Sequence, residues 1–192
     1  MTIKVTVPPA TEPITLPEAK AQCRIDGTDE DTYVTGLISA ARDYCEKRDW
    51  RAYLPQTIQL WLENWPADDE IELPRPPLRS VASVKYYDVN EVVYTLPTTV
   101  YAVDTISEPG SIHLKYQQVW PSILLRDYNA VVVEYSAGYA DAASVPQTIK
   151  MAMKLLIGHW FENREATTVG AVSREIDFAV TSLINLDSAK HF

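Results

Sequence analysis

Hydrophobic residues change their period twice along this chain, and those changes constrain its fold more than any single motif. Tyr33, Leu37, Ala40, Ala41, Tyr44 and Cys45 recur at helical spacing and leave Arg42, Asp43 and Lys47 outside. After Pro55 the period falls to two. Ile58, Leu60 and Leu62 alternate with Gln59, Trp61 and Glu63, the pattern of a strand with one covered face. Comparable runs follow at Val81–Tyr87, Val92–Leu96, Tyr101–Asp104, Ile112–Tyr116 and Val131–Ser136. Turn-formers separate them at Pro66–Glu70, Pro74–Pro77, Glu108–Gly110 and Asp127–Asn129. From Pro146 the helical period returns through Ile149, Met153, Leu156 and Trp160, predicting a helix over 146–164. The expected class is therefore α+β: a helical bundle of two N-terminal helices and one C-terminal helix, with a small antiparallel β block inserted at 54–140 and a C-terminal tail.

Local signals place the boundaries. Thr15 is a candidate N-cap, with Pro17 just inside the helix and Glu18 three residues after the cap. That spacing lets side chains satisfy the free amides of the first turn, so a helix is expected over 16–25, with Gly27 ending it. Asp29, Glu30 and Asp31 put negative charge where the next helix dipole favours it, and that helix should end near Asp49. Residues 1–13 hold Pro8, Pro9 and Pro13 and read as an extended arm. Residues 14–165 form the main domain, with helices in 14–50 and 146–165. Residues 166–192 are a tail that begins small and polar and then turns weakly amphipathic at Ile176, Val180, Leu183 and Ile184.

Charge limits the function classes. The formal net charge is −9, and the stretch 51–145 carries twelve carboxylates against six basic groups. Without a Lys/Arg cluster, sequence-specific DNA binding and attachment to an anionic membrane are both disfavoured. An acidic surface is compatible with a channel wall that repels passing phosphates; solubility is the plainer explanation. Cys23 and Cys45 fit no metal spacing and sit among apolar helix positions, so reduced, buried thiols are expected. MTIKVTVPPA has no signal-peptide core and no run of about 18 apolar residues occurs, which leads to an expectation of synthesis in a cytoplasm.

The remaining residues offer few catalytic or metal motifs. His113 falls on the polar face of its strand beside Ser111 and Lys115, as a surface histidine would. His159 and Glu162 can share a helix face but have no further ligands near them in sequence, and His191 is close to the last residue. Asp29, Glu30 and Asp31 lack the alternation and central glycine of a calcium loop, and Asp68, Asp69 and Glu70 read as a solvated turn. The glycines are scattered and form no phosphate loop; Ser136-Ala-Gly138 lacks the first glycine of a nucleophile elbow. No cofactor, metal or catalytic group is expected.

An ordered series of short motifs points further. Ile14-Thr-Leu-Pro-Glu-Ala-Lys20 with Arg24-Ile-Asp26 resembles the opening of phage head–tail connector (adaptor) proteins. Asp31 through Ile38-Ser-Ala-Ala-Arg42 to Cys45-Glu46 is similar to that family's second helix. Ile71-Glu-Leu-Pro74, Pro77-Leu-Arg-Ser-Val-Ala-Ser-Val84 and Val131-Val-Val-Glu-Tyr-Ser-Ala-Gly-Tyr139 follow in the family's order. Val145-Pro-Gln-Thr-Ile-Lys150 and His159-Trp-Phe-Glu-Asn-Arg-Glu165 complete the series, which spans residues 14–165.

The resemblance implies a structural protein of the virion's head–tail junction. It would form a dodecameric ring under the portal protein, bind a neck or tail-completion protein on the other side, and carry the DNA channel onward without reading sequence. The ring would assemble on its template, leaving the isolated chain a monomer. Two other readings stand beside it: a tail-completion or neck stopper protein, and a DNA-packaging accessory factor. A polar tail ending in an amphipathic segment can order on a partner, so Ile176, Phe178, Val180, Leu183 and Ile184 are candidate portal anchors. Packing of that segment on its own domain is the competing expectation.

Overall fold

The computed structural model describes residues 1–164 and the helix Val172–Asp187, the latter with its side chains from Phe178 to Leu186. The chain forms two compact units. One comprises Met1–Ala10 and Pro55–Tyr139; the other comprises Thr11–Leu54 and Ala140 onward.

The first unit is all β. Its larger sheet contains β1 (Thr2–Val7), β2 (Gln56–Leu62), β4 (Leu78–Tyr87), β5 (Val93–Thr95) and β8 (Val131–Ala137). The spatial order is β1-β2-β8-β4-β5, antiparallel throughout. The middle strand, β8, has Val131, Val132, Val133, Tyr135 and Ala137 all buried, which explains its unbroken apolar run. In β2, by contrast, Ile58 and Leu60 are buried while Gln59 and Trp61 are half-buried, as the alternation predicts. Register shifts at Leu78/Ser80 and Val81/Ser83 put bulges in β4, which bend a long strand.

The smaller sheet is β3 (Glu70–Leu73), β7 (Gly110–Leu114) and β6 (Tyr101–Asp104), in the order β3-β7-β6. Gly110 has a packing reason to be glycine. A Cβ there would lie 2.5 Å from Leu78 Cβ and 2.9 Å from the Asp104 carbonyl oxygen, so the start of β7 can approach β4 only without a side chain. Tyr135 adds a second tie, its hydroxyl donating to the Pro74 carbonyl at 2.7 Å.

Two expectations change in this unit. Residues 1–13, expected as an arm, contribute β1, which pairs with β2 from Thr2↔Trp61 to Val7↔Thr57. Glu70, expected in a turn, begins β3.

The second unit is helical: α1 (Leu16–Cys23), α2 (Asp31–Asp49), α3 (Gln147–Glu162) and α4 (Val172–Asp187), with a 3-10 turn at Ala142–Ser144. The capping box at α1 forms as its spacing predicts. The Glu18 amide donates to Thr15 Oγ1 at 3.4 Å, and Glu18 Oε2 accepts from the Thr15 amide at 2.8 Å. Its end differs. Arg24 in the left-handed region (φ 56°), rather than Gly27, stops the helix, with the Ile25 amide reaching back to the Lys20 carbonyl at 3.0 Å.

In α2 the buried seam is Val34, Ile38, Ala41 and Cys45, rotated about a fifth of a turn from the face expected. Arg42, expected outside, is therefore largely covered. It donates to Glu12 at 2.8 Å and to Glu46 at 3.0 Å. Glu46 is only 2% exposed and its second oxygen accepts the Tyr53 amide at 2.7 Å. A buried carboxylate is tolerable only with such partners, and here it fastens the chain after α2 back onto the helix.

Along α3, Ile149, Ala152, Met153, Leu156 and Ile157 are buried, while Trp160 is half-buried and meets Tyr44 edge-on at 6.0 Å. The tail expectation also changes, because α4 packs along α3 and touches α2. The described bundle thus has four helices, one more than expected.

Candidate functional site

The residues most suggestive of catalysis do not assemble a mechanism. Ser111 Oγ lies 2.7 Å from His113 Nε2, and Glu70 Oε1 lies 3.7 Å from that same nitrogen. Serine and carboxylate thus compete for one ring atom, whereas a nucleophilic relay needs the acid on the opposite nitrogen. Ser111 is buried, which also denies it a substrate. The arrangement reads as a polar cluster on the small sheet. Nearby, Asp104 is held below the ordinary aspartate range by Ser107, whose hydroxyl donates at 2.6 Å, and by the Ile106 and Ser107 amides.

His159 pairs with Asn163 at 3.2 Å at the end of α3, while the charge of Glu162 bears on Cys23 instead. His191 lies outside the described residues. Asp31 binds Lys20 at 2.6 Å and Glu30 binds Arg164 at 3.0 Å, so this acidic run is spent on ion pairs around the start of α2. The Asp68 and Asp69 carbonyls accept from Trp120 Nε1 and the Leu114 amide. Among the described residues no group of three potential ligands converges on a metal position.

Ser136 is an ordinary strand residue, and Gly138 (φ 118°) lets the chain leave β8, its amide donating to Pro77. The Cys45 thiol is pushed up to about 12, chiefly by burial, and burial also raises Cys23; both are free. No described helix is long and apolar enough to cross a membrane.

What the surface does carry is apolar side chains without cover. In the β unit one group lies around β5, with Val89, Val92 and Val93 on the hairpin after β4 and Ile123 and Leu124 on the following loop, while Ile106, Tyr116 and Val119 are exposed elsewhere in the unit. The two segments are joined by the Val89 amide donating to the Leu124 carbonyl at 3.2 Å and by the bridge Asp88↔Leu125. Asp88 organises the hairpin, accepting from the Val92 amide at 2.9 Å and the Asn90 amide at 2.8 Å, which holds its carboxyl below the ordinary range.

Behind this edge the aromatic rings are continuous. Trp120 stacks on Trp65 at 4.9 Å, Trp65 meets Tyr86 at 5.4 Å, and Tyr86 stacks on Tyr94 at 5.3 Å. Arg126 lies over Tyr87 at 3.9 Å and binds Glu91 at 2.6 Å. The patch is thus rigidly backed, and neither its aromatic packing nor the loop crossing to β5 has a periodicity that sequence reading detects.

The five candidate anchors of the C-terminal segment separate. Val180 and Ile184 are fully buried on α4, Leu183 is half-buried, and Phe178 is 75% exposed. The side chain of Ile176 lies outside the described residues. Arg48 of α2 donates to Thr181 on the same helix. The amphipathic face that suggested docking is thus used by the bundle itself, and Phe178 with Leu186 is left outside.

Comparison with known proteins adds an independent line. A family model described as head completion protein matches residues 12–182, which includes residues of both units. Comparison with curated proteins returned no match. Among solved structures, the fold is similar to a chain in the neck of an empty GTA particle computed with C6 symmetry. That match has TM-score 0.80 and 20% identity, covering 97% of this chain and 94% of the other. It is also similar to a chain in the virion of a native gene transfer agent (GTA) particle, with TM-score 0.77, 19% identity and the same coverage of 97% and 94%. A third similar chain is from the neck of a native GTA particle computed with C12 symmetry, with TM-score 0.73 and 20% identity over 97% and 94% of the two chains. At these identities the likeness speaks for the fold.

Proposed function

We propose, from the premise that the chain belongs to the head completion protein family, that it is the head–tail adaptor that rings the portal of a phage-like particle. The observation that carries this reading is the family match over residues 12–182, which includes the inserted sheet as well as the helices. A cyclic ring, dodecameric to match a portal, would receive the capsid's DNA exit on one side and a neck or tail-completion protein on the other. Supporting the ring are the C6 and C12 symmetries of the necks that contain similar chains.

The role is structural. The Ser111–His113 contact is built for hydrogen bonding within a sheet rather than for turnover. DNA would pass without being bound, which suits a subunit with net charge −9. On the portal side, Phe178 is, among the described residues of the earlier set, the anchor that stands exposed, with Leu186 further along α4 as a new candidate. A tail-completion or stopper role is the nearest alternative. The four-helix unit that makes up half of this chain favours the adaptor.

Co-sedimentation tests the reading. The chain should travel with assembled portal oligomers at a fixed stoichiometry, and Phe178→Asp should reduce that binding while leaving the fold intact. A chain that never sediments with its portal is not the adaptor.

A further inference from the structure

The larger sheet ends in two unpaired strands, β1 and β5, and they lie on opposite edges of the same sheet. We infer that β5 of one copy pairs with β1 of the next, so that the sheets of successive subunits join edge to edge around the assembly. The inference rests on the ring reading above and names the contact that builds the ring.

Geometry is the first ground. A closed ring needs a heterologous contact, in which two different surfaces of one subunit meet, and the surfaces must face away from each other. The edges of one sheet are such a pair. Edge strands present free amides and carbonyls that template another strand, and soluble proteins ordinarily mask them with charge, proline or bulges. Here β5 is unmasked: Val93 is 51% exposed, Leu124 on the adjoining loop is 74% exposed, and Val89 and Val92 stand beside them. At the other edge Val7 is 56% exposed and Val5 is exposed too. A shift between Val5 and Val7, followed by Pro8 and Pro9, confines regular pairing to about Thr2–Val5, a length suited to the three residues Val93–Thr95.

Charge is the second ground, and it selects another copy of this chain as the occupant. In a protein of net charge −9, residues 1–11 contain Lys4 and no carboxylate. The β5 edge is acidic on balance, with Asp88, Glu91 and Asp127 against Arg126, which pairs with Glu91, and Lys85, which stands opposite Thr95. Two β5 edges would repel each other, whereas β1 meets β5 with opposite sign. The apolar side chains then close over one another at the centre of the contact.

Cysteine cross-linking tests this. Val5→Cys, Val93→Cys and the double variant are made in a Cys23→Ser background, leaving Cys45 buried. Each is oxidised under two conditions: concentrated purified protein, and protein bound to its portal. The expected result is a ladder extending beyond the dimer for the double variant, a single cross-linked pair when the two single variants are mixed, and no cross-link from either alone. Leu124→Asp added to the double variant should weaken the ladder about tenfold, with near-ultraviolet circular dichroism unchanged.

Disulfide dimers from a single variant would mean a twofold contact and overturn the inference. Absence of the mixed cross-link under both conditions would overturn it as well. Electron microscopy of the portal-bound sample scores the ring separately. A ring without the cross-link removes the edge pairing and leaves the adaptor reading, while a ladder without a portal-bound ring keeps the pairing and removes that reading.

Discussion

The helical and β units solve the problem of burial in opposite ways. The helical unit takes polar groups inside and satisfies them: Glu46 is buried yet receives Arg42 and the Tyr53 amide, and even the amphipathic face of α4 is turned inward. The β unit leaves apolar groups outside, with Val89, Val92, Val93 and Leu124 at one sheet edge and Val5 and Val7 at the other. Exposed edges of this kind fit the contact between copies inferred above. The difference teaches which unit holds the subunit together and which is available to join neighbours.

If so, substitutions in the two units should separate stability from assembly. A large stability effect belongs to Glu46→Ala, which strands part of the Arg42 charge and an amide in the interior. A loss of about 3 kcal/mol is expected in chemical denaturation. A loss below about 1 kcal/mol would show that the network is not what fastens α2. Met153→Ala, which opens a cavity in α3, should cost about 2–5 kcal/mol by the same measurement. Val93→Asp should change stability by less than about 0.5 kcal/mol and act only on assembly; a comparable loss of stability would erase the contrast between the units.

Smaller effects refine it. Thr15→Ala removes the α1 cap and should cost about 1 kcal/mol. Its partner Glu18 is held below the ordinary range, first by the Thr15 amide and then by the Thr15 hydroxyl. A depressed carboxyl stabilises fully above the ordinary glutamate range and loses that contribution as pH falls through its folded value. The same sign applies to Asp88, so acidification should loosen the β5 hairpin. Amide exchange at Asn90 and Val92, followed as pH drops below the aspartate range, checks this, with Asp88→Asn as the comparison already loosened at neutral pH. Of similar size and opposite sign, Arg24→Gly should stabilise by up to about 1 kcal/mol, since glycine occupies the left-handed position without strain.

Elements whose information is local were readable in the sequence. Thr15, Pro17 and Glu18 specify a helix start within four positions, and Ile58, Leu60 and Leu62 announce a strand regardless of partner. What was not readable depends on distant chain. Ile3, Val5 and Val7 do alternate, but only Ile3 is appreciably covered, so β1 looked like an arm until β2 was seen beside it. Arg42 looked external because the seam of α2 runs through Val34 and Ile38, and only Glu12 and Glu46 make an inward arginine tolerable. The candidate portal anchors divide between buried and exposed positions. The helical period of Val180 and Ile184 was real, but period alone does not tell a docking face from a packing face, and α3 took it. Val92–Leu96 was readable as a strand, but its place at an apolar edge was not, because that edge is assembled from a hairpin and a loop about thirty residues apart.

Cryo-electron microscopy of the chain mixed with its portal tests the central claim most directly. The account predicts an added ring of this subunit on the portal's exit side, with the subunits' five-stranded sheets touching through β1 and β5. A bare portal, with the chain remaining free in the background, would contradict it.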